Sequence, residues 1–593
     1  MIYKEGTELV SSYEILTSTN IYKIPNYQRA YTWGKNSLDS FIDDIFTKGV
    51  VNDYYLGTLY VVKDANHDNV KYVIDGQQRI TTLLLLINAL RIKLGINIDK
   101  YLSRSENDAV LDTYEGTPQF YKLFSAVNED EVSCLHSEIE NQSLTTSQVI
   151  YNQLAILELL DRYEVSGIEL DELLKHLLFV NIGVEKELFG YQIFENLNSK
   201  GITLSNVDII KNGLFSRIND DDFVDPHNST KYLKWKEIED NMMQFSTVKL
   251  AELERVKKEF TNNLEDMIKF YTQCKTTRKS ITKTNYGISK VYINYLEGDN
   301  VVPLSEISEL ANYSKYAKYV FYPQKNIHNY TIGRRINKYF RGIETLKVKQ
   351  HRNMSISFIK LISENKCTNL ENAIITFYKK LVIFHYLFNT ISSEVPSKIS
   401  GVYLDAAIKL YSKNISENKI KGVMDEVLES LEVNLPTKET IIQRIEKTVF
   451  YVKEKLVNKI KFDKKEYKVY EGKYYGDNLF EIIETSKRDN TREIEIQSIE
   501  HVLNQNIQIV NYENYKLYSM LPLEQEINSN MGVVVGMPIS DKIPYLKDSD
   551  YYLVQEFVRF YENEYNENMS DIEFIKKWKG KFVDILYQVY MNL

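Results

Sequence analysis

The stretch YVIDGQQRITTLLLLINAL, residues 72–90, decides how this chain is read. Tyr72, Val73 and Ile74 have strand composition, Asp75-Gly76 is a strong turn dipeptide, and Ile80 to Leu94 reads as a largely buried helix. Strand, turn and helix in that order present backbone N–H groups and the positive end of a helix dipole to an anion, most often a phosphate. Gly76 would admit close backbone approach, Arg79 could fork onto phosphate oxygens, and the adjacent amides of Gln77 and Gln78 could position a ligand or water. Asp-Gly between apolar runs is equally the best short-range hairpin signal, so the turn alone leaves both readings open.

The flanking sequence breaks the tie. Upstream, IYKIPNYQRAYTW (21–33) cannot be helical across Pro25, and Tyr27, Tyr31 and Trp33 alternate as in a strand or extended loop. Its Gln28-Arg29 repeats the amide-plus-guanidinium pairing of Gln78-Arg79. Ser37 then caps a helix through Asp39, Ile42 and Ile45. In YYLGTLYVV (54–62), Gly57 interrupts a strand, which predicts a bulge or a close backbone approach. LLFVNIGV is a further strand. Downstream, FENLNSKGITLSNVDIIKNGLF (194–215) holds a turn from Asn198 to Gly201, and Ser205 with Asp208 reads as a capping-box variant opening a helix. Asp208 and Lys211 lie one helical turn apart, the spacing of a common exposed ion pair.

At 593 residues the chain needs two to four domains. Ten prolines and no low-complexity tract argue against long disorder. Cys134, Cys274 and Cys367 are far apart without metal-ligand spacing, which fits a reducing cytoplasm. The longest apolar run is about half what a bilayer demands, so a soluble, cytoplasmic protein with no membrane partner is expected. The net charge of −9 governs solubility more than any one groove. Locally, basic residues cluster. Lys275, Arg278, Lys279 and Lys283 form one patch, and Arg334, Arg335, Lys338 and Arg341 head a second that runs to Arg352. A third, 447–473, mixes lysines with Tyr451, Phe462, Tyr467 and Tyr470. Such patches suit a nucleic-acid backbone, although each is also what a solvated helix face looks like.

Taken together, IPNYQRAYTW, VIDGQQRITTL and FENLNSKGITLSNVDIIK resemble the N-terminal domain of GmrSD-type modification-dependent restriction and phage-defence proteins. The resemblance implies a ParB/sulfiredoxin-like α/β domain over 8–220 that binds and hydrolyses a nucleotide, GTP, ATP or CTP. It assigns the nucleotide to Asp75, Gly76, Gln77, Gln78 and Arg79, lined by Tyr27, Gln28 and Arg29 and completed by Asn198, Asp208 and Lys211. No GxxxxGK[ST] occurs, so a P-loop is excluded independently.

Residues 228–475 read as successive helices, for example through Leu250, Leu253, Val256 and Phe260, with no fixed repeat period. This helical connector holds the basic patches and no catalytic constellation.

Signal returns over 480–593. IEIQSIEHVLNQN (494–506) is a β-like run ending in Glu500-His501, followed by KLYSMLPLEQEINSNMG (516–532) and PISDKIPYLKDS (538–549). An acid and an amide that hold one divalent ion, with a histidine that activates water, make a ββα-metal nuclease. The segment resembles the degenerate HNH domain of the same proteins: Glu500, His501, Asn528 and the tail of Lys542 and Tyr545 match, while Asn504 stands where the family has proline and Ser519 where it has a turn asparagine. Serine is shorter and lacks the amide's combined donor and acceptor.

The expected protein is a multidomain α+β NTP hydrolase and metal-dependent DNA endonuclease, type IV restriction-like. It would act on foreign, modified DNA with Mg²⁺ or another divalent cation. Glu500 and Asn528 are the candidate metal ligands and His501 the general base, with Ser519 beside them. Arg334, Arg335, Lys338 and Arg341 are the candidate DNA contacts, and a homodimer or a partner defence subunit is a further expectation. The rival readings are a non-cleaving NTP-binding sensor or adaptor, supported by Ser519 and Asn504, and an NTP-depleting effector.

Overall fold

The computed structural model describes residues 2–25, 28, 31–49, 52–64, 67–105, 108–109, 111–113, 123–138, 144–184, 205–218, 229–243, 253–284, 287–298, 300–323, 331–412, 414–452, 468–471, 474–487, 496–503, 512–531 and 537–593. The chain forms two compact units, Met1–Lys315 and Tyr316–Leu593. Its architecture is multidomain α/β.

The first unit is organised on a mixed six-stranded sheet. Its strands are β1 (Ile2–Ser11), β2 (Ile21–Ile24), β3 (Tyr54–Lys63), β4 (Val70–Asp75), β7 (Leu111–Thr113) and β8 (Leu177–Val184), while β5 (Ser103–Ser105) and β6 (Asp108–Ala109) form a separate ribbon. The order β1-β8-β3-β4-β2-β7 puts β4 inside the sheet. It runs antiparallel to β3 and parallel to β2. β2 stops at Ile24 because Pro25 has no N–H for the ladder.

The helix Gln77–Leu94 follows β4 after a single residue, and every side chain from Ile80 to Leu90 is buried. A helix apolar all round belongs in an interior, and this one packs in a core shared with Leu59, Val61 and Val73 of the sheet and Ile156 and Leu157 of the helix Leu144–Leu160. The helix expected to start at Ser37 begins earlier, at Lys35. Gly34 is its extended N-cap and the Ser37 N–H already donates to the Gly34 carbonyl, so Ser37 sits within the first turn. The other described elements of this unit are helices, with Asn206–Phe215 packed on Gly287–Leu296, and Leu253–Thr276 running past both.

In the second unit, Arg352–Ser363 packs on Ser400–Leu410, and Thr331–Thr345 on Glu371–His385. The strands β9 (Thr448–Val452) and β10 (Lys468–Glu471) pair in parallel, and β11 (Ser498–His501) and β12 (Met520–Leu523) pair antiparallel. The helices Gln525–Met531, Ile539–Leu546, Tyr552–Glu564 and Asp571–Asn592 complete it. No described helix is long and apolar enough to cross a membrane.

Candidate functional site

β4 delivers Asp75 opposite Tyr60 of β3. Burial and then the Asp75 carboxylate push the Tyr60 hydroxyl above its ordinary pKa. Gly76 follows at φ +100° and is the N-cap of Gln77–Leu94, with no side chain capping that helix start. A Cβ on Gly76 would stand 2.9 Å from Leu59 Cδ1 and 3.0 Å from the Thr58 carbonyl oxygen, so both conformation and space require glycine.

Arg79 is positioned by a second glycine. Gly57 has φ +127° and lies at the irregularity in the β3–β8 register between Tyr55 and Gly57. A Cβ there would be 2.9 Å from both Cζ and Nε of Arg79, so the guanidinium rests on bare backbone. The interruption read in the sequence is thus both a bulge and a close approach, and what approaches is the arginine of the turn.

The upstream motif closes on the same place. Gln28 is fully buried; its Nε2 donates to the carbonyls of Ile74 (2.6 Å) and Val73 (3.4 Å), while its Oε1 has no hydrogen-bond partner among the described residues. Gln78 Oε1 accepts from the Thr32 N–H (2.9 Å) and the Trp33 N–H (3.3 Å), which ties the two motifs together. Tyr31 donates to Thr82 Oγ1 (2.7 Å), and that hydroxyl donates to the Gln78 carbonyl (2.8 Å). Burial pushes the Tyr31 hydroxyl up to about 12, keeping it a neutral donor. Behind Trp33, a buried amide relay runs from Asn152 Nδ2 on the Trp33 carbonyl (2.8 Å), through Gln148 Nε2 on Asn152 Oδ1 (2.8 Å), to Lys257 Nζ on Gln148 Oε1 (2.6 Å). Sequence reading missed Tyr60, Thr82 and the relay, whose roles come from register and tertiary packing. Tyr27, Arg29 and Asn198 lie outside the described residues, as do Leu250, Phe462, Tyr467 and Asn504.

Ser205 and Asp208 form the capping box expected of them: Asp208 Oδ2 accepts from the Ser205 N–H and Oγ, and the Asp208 N–H donates to Ser205 Oγ. Lys211 is 5% exposed, with its ammonium over the rings of Phe215 (5.7 Å) and Trp235 (5.9 Å), so it is no solvated surface lysine. Of the first basic patch, Lys275 bridges Glu309 (2.8 Å) and Glu306 (3.3 Å), and Lys283 pairs with Asp266 (2.9 Å). Burial opposes the charge on Lys275, but Glu309 and Glu306 outweigh it and raise its pKa. Those two lysines are internal counter-charges.

In the second unit, Arg334 and Arg341 are exposed on Thr331–Thr345, and Arg341 Nε donates to the Pro323 carbonyl (3.1 Å). Arg335 is half-buried, and Lys338 lies 4.0 Å from Glu481. On β11, strand alternation puts Ser498 and Glu500 on one face and Ile499 and His501 on the other. Lys542 Nζ donates to Glu500 Oε1 (2.5 Å) and to the His501 carbonyl (2.9 Å). Asn528 Nδ2 donates to Ser498 Oγ (3.0 Å), and the His501 ring meets Tyr515 edge-on at 5.5 Å. Ser519 is fully buried and its Oγ has no hydrogen-bond partner among the described residues. Tyr545, on the helix with Lys542, is 37% exposed. Thus Glu500 and Asn528 reach the same strand face by different partners, while His501 projects from the other.

The first unit is thus an α/β domain in which an interior strand ends in a glycine turn, followed by a helix start with no side-chain cap and an arginine against the Gly57 backbone, an arrangement able to receive an anion. Residues 8–215 match the family model described as the GmrSD restriction endonuclease, N-terminal domain, and this segment is similar to that domain. The match covers all three N-terminal motifs and ends before the C-terminal segment. No curated protein matches the chain.

Proposed function

We propose that this chain is a restriction-type phage-defence protein whose Asp75–Arg79 turn binds and hydrolyses a nucleoside triphosphate in a ParB/sulfiredoxin-like domain, and whose C-terminal segment is an HNH-like nuclease licensed by that nucleotide. The observation that carries the nucleotide site is Arg79 seated on Gly57 beside a helix start without a side-chain cap. There an arginine fork and the positive end of the helix dipole can act on one phosphate. Gln28 Oε1, buried against the same strand with no partner among the described residues, supports a bound group that donates a hydrogen bond to it.

For the nuclease, the donor chemistry fits a divalent cation: Glu500 offers a carboxylate and Asn528 an amide oxygen, while Ser519, whose carbonyl accepts from the Val502 N–H, carries a buried hydroxyl with no partner among the described residues. Glu500 and Asn528 would hold Mg²⁺ or a similar ion, which when bound stabilises charge on the scissile phosphate. His501, the last residue of β11, would accept the proton of the attacking water around the strand end, since its ring projects from the face opposite Glu500. Arg334, Arg335, Lys338 and Arg341 would contact the phosphates of foreign, modified DNA, on one chain, on a homodimer or with a partner subunit.

The adaptor reading draws on one observation, that Lys542 already neutralises Glu500. A phage-plating assay of His501→Ala against Asp75→Ala separates the two. The nuclease reading expects both substitutions to abolish protection; loss with Asp75→Ala alone would leave only an adaptor. Nucleotide turnover that protects without DNA damage would point to an NTP-depleting effector instead.

A further inference from the structure

The proposal that follows rests on the metal-dependent reading of the C-terminal segment and deepens it. Lys542 is 7% exposed, and one ammonium bonds both members of the acid–histidine pair, the side chain of Glu500 and the backbone carbonyl of His501. The Glu500 side chain is itself only 19% exposed, and its Oε2 makes no hydrogen bond to a described residue. The carboxylate offered to a metal is therefore already held by a cation built into the chain. The pair joins β11 to the helix Ile539–Leu546, so a purely architectural role is the plain alternative.

We infer that Lys542 is an internal stand-in for the metal: its ammonium holds and neutralises Glu500 in the metal-free protein, and a divalent cation takes that carboxylate in competition with it. Two cations on one part-buried carboxylate repel each other, because little solvent lies between them to screen the charge. Lys542 thereby weakens metal binding and makes occupancy depend on additional oxygen ligands, such as a scissile phosphate, arriving with the ion. Its hold on the His501 carbonyl keeps the strand end in place while the carboxylate changes partner.

The test is calorimetric titration of Mn²⁺ into the full-length protein without DNA, for wild type, Lys542→Met, Lys542→Gln, Lys542→Arg and Glu500→Gln, each checked for a cooperative melt. Lys542→Met should bind Mn²⁺ at least roughly tenfold more tightly than wild type, since it removes a like charge. Lys542→Gln, which can still donate to the His501 carbonyl, should do the same if Lys542→Met fails to fold. Lys542→Arg should stay near wild type, and Glu500→Gln should lose binding. Equal or weaker binding in both neutral variants would overturn the role of Lys542 and leave the metal site standing. Absence of Mn²⁺ binding in wild type and in the neutral variants would overturn the metal reading and this inference together.

Discussion

The guanidinium of Arg79 lies so close to Gly57 that a side chain at residue 57 would stand 2.9 Å from Cζ. The Asp75–Arg79 turn is therefore completed by a residue on β3, twenty-two positions upstream of Arg79. Gly57→Ala should displace Arg79 and strain φ +127°, reducing NTP hydrolysis by roughly tenfold or more. The strain should cost about 1–3 kcal/mol of stability. Hydrolysis rates and urea melts of Gly57→Ala beside Arg79→Ala check this, and equal activity of Gly57→Ala and wild type would contradict it.

Gln28 gives a second handle, because its two ends do different things. Nε2 fixes the end of β4, and Oε1 has no hydrogen-bond partner among the described residues. Gln28→Met should cost roughly 1–3 kcal/mol by leaving the Ile74 carbonyl unpaired. It should also weaken nucleotide binding about tenfold, whereas a merely structural glutamine would change only the melt. Fluorescent-nucleotide titration at a temperature where the variant is folded separates the two.

The second unit carries a pH liability. His385 is fully buried as a neutral ring: Nδ1–H donates to Asn389 Oδ1 (2.6 Å) and Nε2 accepts from the Tyr403 hydroxyl (2.8 Å). Burial lowers its pKa from 6.5 to about 4, with the Asn389 bond opposing. His351 is also held low, by burial, His385 and Arg352. With the folded pKa depressed, stability is complete above pH 6.5, where both states are neutral, and falls as the unfolded chain takes up protons between 6.5 and about 4. For His385 the loss should approach about 3 kcal/mol by pH 4. Urea midpoints of the second unit's transition should stay level from pH 7.5 to about 6.5 and then drop steadily to pH 5, and His385→Gln should flatten that slope.

For DNA, the exposed pair Arg334 and Arg341 offers a charge-specific test. Arg334→Ala and Arg341→Ala should each weaken binding across sequences and reduce the salt slope by about one per lost phosphate contact. Unchanged slopes would remove this helix from the DNA-binding surface.

What the sequence disclosed follows a physical divide. Local signals were legible: Tyr72 to Ile74 as a strand, Asp75-Gly76 as the turn, the Ser205–Asp208 capping box and the Gly57 bulge each depend on residues within a few positions. Tertiary partners were not. Lys275 and Lys283 looked like a nucleic-acid patch because Glu306, Glu309 and Asp266, which neutralise them, come from other turns and helices. Lys211 has the spacing of an ion pair with Asp208, and nothing local announces the Trp235 ring beneath its ammonium. The start of the helix at Lys35 rather than after Ser37 is a smaller miss, where Gly34 in extended backbone took the cap.

The central claim, a nucleotide turn that licenses a distant nuclease, is tested most directly by one paired assay. Phosphate release from GTP, ATP and CTP and cleavage of modified DNA with Mg²⁺ are read together for wild type, Arg79→Ala and His501→Ala. Wild type should do both, Arg79→Ala neither, and His501→Ala should release phosphate without cutting. Wild type that releases no phosphate from any of the three, or Arg79→Ala that cuts as wild type does, would contradict the account.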